Sequence, residues 1–235
     1  MATQEDDLSK RIRFHDEAIG LPLGAEKCNA ALGKRIANSL RNGKLVSDIT
    51  YGLILSSRGK RFSRRHWTPV GLAYRAAMLL TDHKACDILD VGSGLGKFCL
   101  IGALTTPGRF FGVERRKWLV AEARETALLL GIERVEFGHG DMADLDWSRF
   151  DGVYLYNPFC ENILESIRID LTVPLGKRQY DEFVSVVEKK LETLRIGARV
   201  VTLHGFGGRM PVAFTRTLCE PWGDGFLELW EKQSA

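Results

Sequence analysis

The amino-acid sequence predicts an α/β protein with a doubly wound, mostly parallel sheet. From residue 86 onward, short apolar runs alternate with longer amphipathic ones, the pattern of strands joined by crossover helices. The first short run, "CDILDV", feeds directly into a glycine-rich turn, "DVGSGLGKF" at 90–98. The last two, "VAFTRTLCEP" and "GFLELWEK", have only "WGDG" between them and should pair as an antiparallel hairpin at the sheet's edge.

Ahead of this alternation, residues 25–42 place Cys28, Leu32, Ile36 and Leu40 at helical spacing, and Gly43 stands where a C-terminal cap belongs. "ITYGLILSS" reads equally as a strand or a buried helix, and "RGKRFSRR" as a charged connector. In "HWTPVGLAYRAAMLL", Thr68 is the expected N-cap and Pro69 the first helical residue. "CDILDV" is then a strand, residues 97–104 a helix, "RFFGVE" a strand, and "RKWLVAEARETALLLG" an amphipathic helix closed by Gly131. "RVEFGHGD" and "FDGVYLYNPF" are strands. "YDEFVSVVEKKLETL" is a helix with Phe183, Val187, Leu191 and Leu194 on one face, and "ARVVTLHGF" is a further strand. The boundary falls near residue 65, between a mostly helical extension at 1–65 and an α/β domain at 66–235.

With 45% hydrophobic and 27% charged residues, the 235-residue chain has the composition of an ordinary globular protein. Its opening, "MATQEDDLSK", is polar and acidic, unlike a signal or transit peptide. No apolar run approaches the roughly 20 residues that cross a bilayer. The five cysteines are scattered and never form C-x-x-C, which favours free thiols in a reducing compartment. The five histidines never stand at i, i+4 from one another, so a zinc site has no support. The expectation is a cytoplasmic, metal-free protein. Charge is uneven: residues 1–66 carry 13 Lys/Arg against 7 Asp/Glu, while the remainder is net acidic. A basic front end can meet an anionic partner.

The glycine turn excludes two common ligand classes. Gly96-Lys97 is followed by Phe98, not the hydroxyl residue of a P-loop, and Lys97 stands where a dinucleotide fingerprint needs its third glycine. Open α/β sheets bind ligands beyond the carboxyl ends of their strands, and an acid follows each of three successive strands there. Asp90 beside the glycines suits a cationic group better than a pyrophosphate. Glu114, 24 residues on, can accept from the two hydroxyls of a ribose. Asp141 can accept from an adenine amino group, with Met142 against the ring. After the fourth strand comes "YNPF", Tyr156 to Phe159.

The order "DVGSGLG", "GVE", "GHGDM", "YNPF", with a closing hairpin around "EPWGDGFLEL", resembles the class I S-adenosylmethionine-dependent methyltransferases over residues 66–235. The resemblance implies a Rossmann-like, seven-stranded sheet with one antiparallel strand. It implies S-adenosyl-L-methionine as cofactor, with Asp90 and the turn Gly92, Ser93, Gly94, Gly96 on its methionine end. Glu114 and its neighbour Arg115 would lie at the ribose, and Asp141 with Met142 at the adenine. Thr68, at the head of the helix that covers the cofactor, belongs to the same binding set.

"YNPF" is similar to the [DN]-P-P-[FY] signature of amino-group methyltransferases, with one proline instead of two. Asn157 would orient an acceptor amine, as well as lying beside the cofactor. Pro158 would stiffen the turn, and Tyr156 or Phe159 would lie against the acceptor. The chain also loosely resembles Dot1-like protein-lysine methyltransferases, which favours a protein amine as acceptor. RNA or DNA amino groups, a small molecule, a catalytically silent adapter that binds the nucleoside, and an oxidoreductase on the related dinucleotide fold are the alternatives. Arg58, Lys60, Arg61, Arg64 and Arg65, with Phe62 among them, form a candidate nucleic-acid-contacting segment at 58–65. "CENILESIRIDLTVPLGKRQ" exceeds the roughly two to six residues usual for such a connection. It is expected to form a short helix and a loop over the acceptor mouth, with Pro174, Leu175 and Gly176 as a turn.

Overall fold

Seven strands form one sheet: β1 (Asp87–Val91), β2 (Arg109–Glu114), β3 (Val135–His139), β4 (Gly152–Tyr156), β5 (Arg199–Leu203), β6 (Phe214–Trp222) and β7 (Gly225–Lys232). Their order is β3-β2-β1-β4-β5-β7-β6. Strands β1 to β5 pair in parallel, and β7 lies antiparallel between β5 and β6. The computed structural model describes residues 25–62 and 66–234. The readings of the opening segment, of Arg64 and Arg65 and of the Cys28 side chain lie outside the described residues.

Alternate residues of a strand point to opposite faces, and the two faces are covered unequally. Ile88 of β1 and Phe110 of β2 join a core with α1 (Ala25–Arg41), α4 (Val70–Thr81), α5 (Lys97–Thr105) and α6 (Lys117–Leu130). Leu89 and Val113 face the other way, into a core closed by α7 (Lys177–Thr193) through Phe183, Val187 and Leu191. The topology reverses between β1 and β4, which opens a crevice at their carboxyl ends. The registers align those ends: Glu114 stands beside His139, and Tyr156 beside Leu203.

One ambiguity is resolved and three expectations are corrected. "ITYGLILSS" forms a short helix, α2 (Asp48–Gly52), and a turn; its Tyr51, Ile54 and Leu55 are buried, which resolves the ambiguity in favour of helix. "RGKRFSRR" does not begin as a connector but as α3 (Ser57–Phe62). Thr68 does not cap α4: Pro69 occupies the cap position, and Asp48 Oδ1 accepts from the Val70 amide at 3.0 Å. The connection after β4 forms two 3-10 turns, Cys160–Asn162 and Glu165–Ile167, where a short helix was expected.

Helix α1 is docked rather than appended. Ile36, Ala37 and Leu40 are buried in the same core as Leu130, and an Arg41 Nη2 donates to the Gly131 carbonyl at 2.7 Å. Gly33 makes the approach possible, since a Cβ there would lie 2.7 Å from the Leu129 carbonyl oxygen. Alanine normally stabilises a helix interior relative to glycine. Here Gly33→Ala should instead destabilise the protein by about 1–3 kcal/mol, read as a lower urea midpoint at unchanged slope.

Candidate active site

The glycine turn between β1 and α5 carries the crevice. Gly92, Gly94 and Gly96 adopt φ of 73°, 54° and 71°, a region open to glycine without steric cost. The amides of Gly92 and Ser93 both donate to the Val113 carbonyl at 3.0 Å, which binds the turn to the end of β2. Gly94 lies under the Trp67 ring, where a Cβ would stand 2.8 Å from the indole. Trp67 is fixed in turn by its Nε1, which donates to the Gly59 carbonyl of α3 at 2.9 Å. Gly96 lines neither cavity space. A side chain there would meet Phe137 and Ala123, so this glycine serves the packing of α5.

A cavity of about 370 Å³ runs along the strand ends, bounded by Gly92, Gly94, Glu114, Asp141, Met142 and the turn Tyr156–Phe159. A smaller space of about 40 Å³ adjoins it at Asp90, Ser93, Lys97 and Thr68, and the two share Trp67, Gly92, Gly94 and Tyr156. The expected residues other than Gly96 therefore converge on one connected region. Thr68 sits in the smaller space with its hydroxyl 3.4 Å from that of Tyr154. The Ser93 hydroxyl is buried there without a hydrogen-bond partner among the described residues.

The carboxylates differ in how they are held. Glu114 accepts from the Arg116 amide at 2.8 Å on one oxygen and from the Gly94 amide at 3.2 Å on the other. Burial pushes its carboxyl up, against the opposing hydrogen bond from Arg116. Asp141 caps the turn that follows it, accepting from Ala143 N at 3.0 Å, while its second oxygen lies 3.6 Å from Arg115 Nε. Asp90 is 5% exposed and accepts a weak bond from the Cys99 thiol at 3.4 Å. Burial, with Glu114 nearby, raises its carboxyl from the usual range to about 7. Lys97, also buried, points away to an ion pair with Asp48.

Two groups of residues here have no distinctive local signal in the sequence. Arg116, rather than its neighbour Arg115, is the buried cation: it pairs bidentately with Glu161 and, through Nε, with Asp170 at 2.9 Å. Asp170 also receives Trp118 Nε1 at 2.8 Å and Arg58 at 3.0 Å, and the Arg58 guanidinium lies 3.7 Å over the Trp118 ring. Burial acts to raise the Asp170 carboxyl, but hydrogen bonds from Thr172, Arg116 and Trp118 outweigh it and hold the carboxyl well below the usual range. This network straps the connection after β4 over the cavity, where Ile167, Ile169, Val173 and Leu175 form an apolar wall. It also engages Arg58, whose side chain stays half exposed, and Phe62 packs partly buried against the core. The second group is His204 with Asp224, at the opposite end of the cavity beside Tyr156.

The family model described as a methyltransferase domain matches residues 82–173, the stretch that carries the glycine turn, Glu114, Asp141 and Tyr156–Phe159. A methyltransferase domain thus occupies residues 82–173. The fold is that of the class I S-adenosylmethionine-dependent methyltransferases. An RNA methyltransferase from Salinibacter ruber, in complex with S-adenosyl-L-homocysteine, is similar with a TM-score of 0.52 and 23% identity, over 72% of this chain and 94% of that one. TrmN from Thermus thermophilus is similar with a TM-score of 0.52 and 20% identity over 75% of this chain, which covers about half (53%) of TrmN. No curated protein matches the methyltransferase in sequence. Among the described residues, no cluster of three or more metal-binding side chains occurs, and no helix is long and apolar enough to cross a membrane.

The buried acid sets a pH dependence. With a folded pKa of about 7 against an unfolded value near 3.8, Asp90 holds a proton in the native state that the unfolded chain releases between those values. Its favourable contribution is complete below the unfolded pKa and is lost as pH rises to about 7. The methyltransferase should therefore lose stability from pH 5 to pH 8, and Asp90→Asn should flatten that decline by on the order of a few kcal/mol. Urea unfolding of both proteins at the two pH values measures it.

Proposed function

We propose that this methyltransferase acts on a nitrogen of RNA. In this reading the donor lies along the carboxyl ends of β1 to β3, and the acceptor enters at β4 and β5. The observation that carries the proposal is the turn Tyr156–Phe159, which shares a cavity with the glycine turn and with Glu114. Pro158 faces Gly92 across that cavity, where a Cβ on the glycine would be in ordinary contact at 3.5 Å. The Asn157 side-chain amide makes no hydrogen bond among the described residues, so its oxygen can accept from an acceptor N–H.

The residues present fit an S-adenosyl nucleoside. Asp90, buried without a cation, suits the ammonium of the methionine end. Glu114 is held by two amides with lone pairs left for ribose hydroxyls, and Asp141 with Met142 suits the adenine. When bound, S-adenosyl-L-methionine supplies a methyl group on a cationic sulfur, which needs no protein nucleophile. The chain's own residues have to hold the two partners in line, a positioning effect that can account for several kcal/mol of a barrier. Trp67, Ile167, Ile169, Val173 and Leu175 give the cavity the apolar lining that such an alignment calls for.

The sequence favours a protein amine, lysine above all, as acceptor. RNA is better supported on two grounds. The Salinibacter ruber protein is an RNA methyltransferase, and the acceptor end carries the rings of Tyr156 and His204, which suit a planar base. The extension at 1–65 serves in this reading as a cover for the domain at 66–235, because α3 holds Trp67 over the glycine turn. A cytoplasmic location accords with an RNA acceptor.

Incubation of a cell extract with labelled donor tests the acceptor: the label should be released by ribonuclease and resist protease and deoxyribonuclease. Glu114→Ala should weaken S-adenosylhomocysteine binding by about 1–3 kcal/mol, the cost of leaving buried donors unpaired, measured by calorimetry. Asn157→Ala should lower the turnover number while leaving that affinity within a factor of about two.

A further inference from the structure

His204 and Asn157 are the first residues beyond β5 and β4, and both adopt positive φ, 57° and 39°. Non-glycine residues in this region gather where structure over-determines them, often at active sites. They are adjacent: the Asn157 amide donates to the Gly205 carbonyl at 3.2 Å. Both line the cavity. The His204 ring stacks on Tyr156 with centroids 6.0 Å apart, and its Nε2 lies 3.5 Å from Asp224 Oδ1 in the turn between β6 and β7. Gly225 gives the ring room. A Cβ there would stand 2.6 Å from His204 Nδ1, so no side chain covers that nitrogen from the hairpin.

From this geometry we infer that His204 is a catalytic base that takes the acceptor's proton, with Asp224 setting its tautomer. The inference rests on the reading of Tyr156–Phe159 as the acceptor end. The Asp224 carboxylate favours a proton on Nε2, which leaves the Nδ1 lone pair open. The acceptor nitrogen forms a bond to the methyl carbon as the carbon–sulfur bond breaks with its electron pair left on sulfur. The nitrogen, now cationic, passes its proton to Nδ1. An acceptor that carries an N–H into the cavity, such as the amino group of a base, makes use of such a group; one that ends without a proton to lose does not.

The test uses the full chain, His204→Asn and Asp224→Asn, with labelled donor and cell extract, followed by separate ribonuclease and protease digestion. His204→Asn should lower transfer at least about 100-fold, the low end of what a general base contributes, with S-adenosylhomocysteine affinity within twofold of wild type. Asp224→Asn should lower it less. Nitrogen-15 histidine spectra of the wild type, assigned with His204→Asn, should show His204 protonated on Nε2, and Asp224→Asn should erase that preference. Wild-type transfer by His204→Asn, a loss of donor affinity that accounts for the lowered rate, or a proton on Nδ1 would each overturn the inference. Label released by protease alone would overturn the RNA reading, while a 100-fold loss in His204→Asn would still uphold the base.

Discussion

Glu114 is the constraint on which the binding region depends. Its two oxygens each take one backbone amide, from Gly94 on the turn after β1 and from Arg116 after β2. A buried carboxylate is costly unless it is hydrogen-bonded, and here the bonds that satisfy it also fix the ends of two neighbouring strands relative to each other. The glycine turn is thereby held open as a cradle, and Arg116 is aimed at the connection after β4. This one side chain therefore joins both walls of the cavity.

Electrostatics then divides the region by function. Along β1 to β3, acids predominate, and Asp90 has no basic partner among the described residues, a state that favours a positively charged ligand. Around the rim the charges are matched. Arg116 is saturated by Glu161 and Asp170, and Asp170 by Arg58, Trp118 and Thr172. The matched groups hold structure, and the unmatched one is left for chemistry.

Periodicity and turn chemistry carried most of the fold. Every strand from "CDILDV" to "GFLELWEK" is present, and Gly131 ends α6 in a left-handed cap. The acids at the strand ends were legible for the same reason: a parallel sheet places its strand ends at one rim, so order along the chain becomes neighbourhood in space. What failed depended on partners remote in sequence. Thr68 had the right chemistry for a cap, but Asp48 reached the Val70 amide first. Arg58 looked like a free cation until Asp170, 112 residues later, was brought beside it. Arg115 and Arg116 are indistinguishable locally, and only the path of the connection after β4 decides which is buried. His204 was invisible as a lone histidine because Tyr156 and Asp224 come from different elements.

The direction of β7 reaches beyond sheet topology. Strands β1 to β6 all run toward the rim and deliver there the residues that follow them, while β7 alone runs back from it. The turn that reverses the chain between β6 and β7 therefore sets Asp224 at the rim, with Gly225 opening the returning strand. The hairpin thus lends the rim an entrance on a two-residue turn, remote along the chain from the residues of the nucleoside cradle. Diversification of what this fold modifies can proceed there, one turn at a time, while the grip on the donor stays as it is.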